Sequence, residues 1–161
     1  MPRLTVIGIG SDFADDRAGW KVVEALSVSR EIATYGKNVL VKACLSPAGE
    51  LLSLLANTEV AILVDSVSFS GAPGTVYRLD GVGSPITAPN FISSHGMDLP
   101  TLLALAAALE QSPREMILYG IEAGPCFVAD SKMGQSVLHA VKWVTEDIKR
   151  DISNYCESEN R

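Results

Sequence analysis

Asp16, Asp65 and His95 place carboxylate oxygens and an imidazole nitrogen at loop edges in a chain that is otherwise rich in apolar runs. Asp16 closes the segment Gly10-Ser11-Asp12-Phe13-Ala14-Asp15-Asp16, which follows the first apolar run. Asp65 ends the run Val60-Ala61-Ile62-Leu63-Val64, and His95 stands in Ser93-Ser94-His95-Gly96, ahead of a leucine–alanine stretch. In an open α/β sheet, groups at the carboxyl ends of strands collect in one crevice. Two carboxylates and an imidazole meeting there make an O,O,N set for a divalent metal, with open positions left over as catalysis requires. The chain has no His-Glu-x-x-His motif, so the pattern is not that of an ordinary zinc protease.

Each of these residues also has a plainer reading. Asp15 and Asp16 precede a helical stretch, where an aspartate commonly caps free N–H groups, and a pair allows one to cap while the other faces the crevice. For Asp65 the two readings stand level: a carboxylate at a buried strand's end is either satisfied by backbone N–H groups or placed for function. A lone histidine is more often structural, but His95 lies in a loop, where functional groups concentrate. His139 falls inside the last helical stretch and reads as a surface or packing residue. Cys126, in Gly124-Pro125-Cys126-Phe127, is a nucleophile only if His95 reaches it, and as a small buried thiol it needs no partner. Gly8-Ile9-Gly10 lacks the third glycine of a dinucleotide fingerprint, Phe13 standing in its place, and reads as a tight turn after a strand.

The elements that must position these groups follow from periodicity. Leu4 to Ile9, Asn38 to Ala43, Val60 to Val64, Thr75 to Leu79 and Glu115 to Ile121 read as strands, the fourth with the alternating polarity of a sheet edge. Ala18 to Leu26, Pro47 to Ala56, a segment capped by Asp98 and running to about Glu110, and Val137 to Ile152 read as helices. Strand and helix mostly alternate, which predicts a three-layer α/β/α sandwich on a mostly parallel five-stranded sheet. Residues 1–153 are expected to form one domain, with 154–161 a polar tail that frays.

Composition sets the outer bounds. A length of 161 residues, 47% of them hydrophobic and 20% charged, suits one domain with a real core. A net charge of −6 with no basic stretch argues against nucleic acid or an anionic membrane as partner. No apolar run reaches membrane-spanning length, and Met1-Pro2-Arg3-Leu4 enters a strand directly without a signal-peptide layout. Cys44, Cys126 and Cys156 are odd in number and widely spaced, and read as reduced thiols of a cytoplasmic protein.

The ordered set of segments resembles the nickel–iron hydrogenase maturation proteases. It runs from Val6-Ile7-Gly8-Ile9-Gly10 through Asp15-Asp16-Arg17-Ala18-Gly19, Leu63-Val64-Asp65-Ser66-Val67 and Ala72-Pro73-Gly74-Thr75-Val76. Ser94-His95-Gly96, Leu102-Leu103-Ala104-Leu105-Ala106 and Tyr119-Gly120-Ile121-Glu122 complete it. The chain departs from the family at Ser11, where asparagine is usual, at Ser46-Pro47-Ala48-Gly49 in place of a Gly-Thr-x-Gly turn, and at Ala123, where proline is usual.

The resemblance implies an endopeptidase that trims a carboxyl-terminal extension from a hydrogenase large-subunit precursor after nickel insertion. It also implies that Asp16, Asp65 and His95 contact the metal, with nickel arriving in the substrate and other divalent metals able to occupy the site. A catalytically silent maturation partner and a metal-dependent hydrolase of small molecules are the alternatives.

Overall fold

Leu4–Ile9 forms the first strand, β1, and every residue in it is buried, so it must lie inside the sheet with layers on both faces. A 3-10 turn at Ala14–Arg17 leads into α1 (Ala18–Ser27), and the short α2 (Arg30–Ala33) is capped by the Ser29 side chain. A second 3-10 turn, Gly36–Asn38, precedes β2 (Val39–Cys44), which is followed by α3 (Pro47–Ala56), β3 (Val60–Val67) and β4 (Val76–Gly81). The chain closes with α4 (Leu99–Ala108), β5 (Glu115–Glu122) and α5 (Gln135–Ser158). This computed structural model describes residues 2–45, 47–81, 99–125 and 132–158, so His95, Asp98 and Cys126 lie outside the described residues.

The five strands form one sheet in the order β2-β1-β3-β5-β4, parallel except for β4, which runs antiparallel along β5 at the edge. The expected α/β/α sandwich is therefore present. Leu4, Val6, Ile62, Val64 and Ile121 bury one face under α1 and α5, whose Val22, Leu26, Val144 and Ile148 join the same cluster. Ile7, Ile9, Leu63 and Leu118 bury the other face under Leu51 and Leu55 of α3 and Ala106 of α4. Successive strand residues alternate between these two cores, as the pleat requires.

Three local features differ from the sequence expectations. Gly8 lies inside β1, in accord with the strand expected over Leu4 to Ile9 but not with a turn at Gly8-Ile9-Gly10, and a Cβ there would stand 2.3 Å from the Gly19 carbonyl oxygen. The glycine serves a close approach of α1 to the sheet, which Gly19 shares: its own Cβ would meet Ile9 O at 2.3 Å and Val64 O at 2.6 Å. The helix expected to reach Glu110 ends at Ala108, because Glu110 takes φ 56°. Gln111 N donates to Ala106 O at 2.8 Å and Glu110 N to Ala107 O at 3.1 Å, the paired bonds of a Schellman cap. At the carboxyl end, α5 continues to Ser158, into the stretch expected to fray, with Tyr155 and Cys156 packed against the first core.

Candidate active site

The chain passes from β1 outward to β2 and then returns across β1 to β3, so the winding reverses between β1 and β3. The carboxyl ends flanking such a reversal form the crevice where ligands of open α/β sheets bind. The loop after β1 carries Asp16, and the carboxyl half of β3 carries Asp65, so both acids belong to this switch point.

The first loop is bent by Ala14, which is buried and takes φ 43°, a left-handed conformation that an alanine adopts only under constraint. Beyond the bend the two acids separate. The Asp15 carboxylate accepts from Gly124 N at 2.7 Å and Gly134 N at 2.8 Å, tying the loop to the segments after β5 and before α5. Asp16, half-buried, accepts from the Ser66 hydroxyl at 2.8 Å on Oδ1 and from the Ser11 hydroxyl on Oδ2. The residues at the cap positions of the turn and of α1, Phe13 and Arg17, make no side-chain capping bond, and the two acids divide between holding the loops and facing β3.

Asp65 sits deeper than its position after the apolar run suggests. β3 continues for Ser66 and Val67, because these pair with Ile121 and Glu122 of β5, and Asp65 is fully buried at 0% exposure opposite Gly120. It alternates with Leu63 and Val67, so it belongs to the face covered by α3 and α4, while Ser66 belongs to the α1 face and meets Asp16. The described residues thus bring Asp16 against the residue next to Asp65. Among them no group of three His, Cys, Asp or Glu gathers to hold a metal ion, and His95 lies outside them.

Glu122, at the end of β5, organises the loop after β3. Its buried carboxylate accepts from Phe69 N at 2.9 and 3.0 Å and from Gly71 N at 3.2 Å, while Gly74 N donates to its carbonyl at 2.9 Å. Burial and a hydrogen bond to Glu122 raise the Tyr77 phenol above its usual range. Trp20 of α1 donates from Nε1 to the Cys44 carbonyl at 3.3 Å and so fastens the helix to the end of β2. Phe13, beside the acids, leaves 43% of its surface exposed on the rim of the first loop.

Sequence reasoning passed over Ser66, Ser11 as a ligand of Asp16, and the anchoring of loops by Asp15 and Glu122. A serine following an aspartate in a strand whose other residues are Val, Ala, Ile and Leu was the available signal for the first. His139, read as a surface or packing residue, is exposed on α5.

Residues 21–151 match the model of HycI, the hydrogenase maturation proteases. The chain is 28% identical over 123 residues to the hydrogenase expression/formation protein HupD of Thiocapsa roseopersicina, a match covering 75% of this chain and 54% of that protein. It therefore spans about half the length of that relative. The hydrogenase maturating endopeptidase HybD from E. coli superposes with a TM-score of 0.74 at 22% identity, covering 95% of this chain and 93% of that one, a likeness of fold. The NiFe hydrogenase maturation protease HybD from Thermococcus kodakarensis superposes with a TM-score of 0.67 at 25% identity, covering 92% and 97%. With a family model spanning most of its length, this chain belongs to the hydrogenase maturation protease family.

Proposed function

We propose that the chain is an endopeptidase that removes a carboxyl-terminal extension from the nickel-loaded precursor of a hydrogenase large subunit, with Asp16, Asp65 and His95 contacting the nickel that the substrate carries. The observation that carries the reading is the bond from Ser66 to Asp16, which holds the first-loop carboxylate against β3 one residue from Asp65, at the switch point of the sheet. Family membership supports the activity and the substrate.

The donor set suits the ion. Two carboxylates and a neutral imidazole give hard and borderline ligands and leave coordination positions for the substrate's own groups. An ion so held polarises a carbonyl or a water placed against it. The protein's own part is positional. Asp16 is fixed from two sides by hydroxyls, and Asp65 is held in a fully buried strand. His95 shortly precedes α4, which packs in the layer on the Asp65 face. Because nickel comes with the substrate, the same contacts that assist cleavage also select precursor already loaded with metal. Among the described residues no helix is long and apolar enough to cross a membrane.

The test is processing of nickel-loaded precursor by His95→Ala beside His139→Ala, followed by intact mass. His95→Ala is expected to leave the extension in place, and His139→Ala, altered on an exposed helical face, to cleave at the parental rate. Parental processing by His95→Ala contradicts the assignment of the histidine. Tight precursor binding without cleavage by the parent itself identifies a silent maturation partner instead.

A further inference from the structure

We infer that Ser66 is a positioning residue that aims the Asp16 carboxylate at the substrate's metal; the inference rests on the role proposed above for Asp16. Ser66 is 2% exposed, and its hydroxyl donates to Asp16 Oδ1 at 2.8 Å. The Ser11 hydroxyl donates to Oδ2 of the same carboxylate, and Ser11 N donates to the Asp16 carbonyl at 3.3 Å. Each carboxylate oxygen thus holds a hydroxyl from a different element, one from the loop after β1 and one from β3. Two such bonds fix both the position and the plane of the carboxylate.

The location argues against a role in folding alone. On the same face of β3 the preceding residues are Ile62 and Val64, both fully buried in the first core. A β-branched apolar residue at 66 would continue that pattern and suit a central strand better than serine. Serine there gives up apolar burial and makes a bond to Asp16. Because Ser66 directly follows Asp65, a single strand sets the placement of both acids: Asp65 by its own backbone, and Asp16 through the hydroxyl of the next residue. Partners that orient metal-contacting side chains are typically worth roughly 10- to 100-fold in affinity or activity.

The experiment compares Ser66→Ala, Ser66→Thr and Asp16→Asn with the parent. It records kcat/KM on nickel-loaded precursor, the affinity of each protein for that precursor before turnover, and the melting temperature. Ser66→Ala is expected to lose roughly 10- to 100-fold in kcat/KM and to bind the precursor more weakly while melting near the parent. Ser66→Thr, which keeps the hydroxyl, should recover most of both losses. Should Ser66→Ala melt below the assay temperature, Ser66→Cys, close in volume but a weak donor, takes its place with the same expectation. Parental kinetics in the hydroxyl-free variant beside an inactive Asp16→Asn overturn the positioning role, as does an equal loss in Ser66→Thr. Parental activity in Asp16→Asn overturns the underlying site reading itself, whatever Ser66 does.

Discussion

At the scale of single residues, the site depends on one unusual backbone angle. Ala14 at φ 43° turns the first loop so that Asp15 and Asp16 diverge, one to Gly124 and Gly134, the other to Ser11 and Ser66. A left-handed alanine costs about 1–2 kcal/mol relative to a right-handed one, and glycine is spared most of that cost. Ala14→Gly is therefore expected to stabilise the fold by up to about 1 kcal/mol, once the greater freedom of the unfolded glycine is set against it. Denaturant melts measure this, and a loss of stability would show that the loop imposes no strain at Ala14. That the pair divides its work is legible in the sequence, but which partner each acid takes is not, because that follows from this angle and not from residue type. Asp16 and Asp65 are conspicuous as candidates in the sequence, since each carboxylate stands beside or shortly after an apolar run. Ser66 is not, because its value lies in a partner fifty positions away.

At the scale of elements, periodicity located all five strands and the four longer helices, because alternate burial on two cores leaves runs of Val, Ile and Leu that are hard to mistake. It placed the end of β3 too early: Asp65 and Ser66 look like loop residues until β5 is laid beside them. It also overlooked how the edge strand is secured. Arg78 of β4 donates to Asp147 at 3.2 Å and to Asp151 at 2.9 Å on α5, and lies 5.3 Å over the ring of Tyr119. The Tyr119 hydroxyl lies 2.7 Å from an Asp147 oxygen and 2.6 Å from an Asp151 oxygen, its one proton shared between the two carboxylates. These partners are scattered along the chain, so no local pattern announces them. Burial, with the bonds to Asp151 and Asp147, raises the Tyr119 phenol well above its usual range. A phenol held neutral more firmly in the folded than in the unfolded chain adds stability that is complete below about pH 10 and is lost as pH rises beyond it. Tyr119→Phe is accordingly expected to cost about 1–2 kcal/mol near neutral pH and to flatten the decline in stability above about pH 10. Parallel declines for variant and parent in alkaline denaturant titrations would show that Tyr119 is not the group responsible.

At the scale of the whole molecule, the sheet order sets a switch point between β1 and β3, and acids fasten the loops around it: Asp15 to the segments flanking β5 and α5, Glu122 to the loop after β3. A rim tied down in this way suits the proposed endopeptidase, whose substrate would be a folded protein bearing its own metal. Contact of the two carboxylates with that metal is the heart of the proposal. Its most direct measurement is the intact mass of hydrogenase large-subunit precursor after incubation with the parent protein and with Asp65→Asn, each on nickel-loaded and nickel-free precursor. If the contact holds, the carboxyl-terminal extension is lost only with the parent and only from loaded precursor, with Asp65→Asn still folded by thermal melting. Equal cleavage of the nickel-free precursor, or parental cleavage by Asp65→Asn, would contradict it.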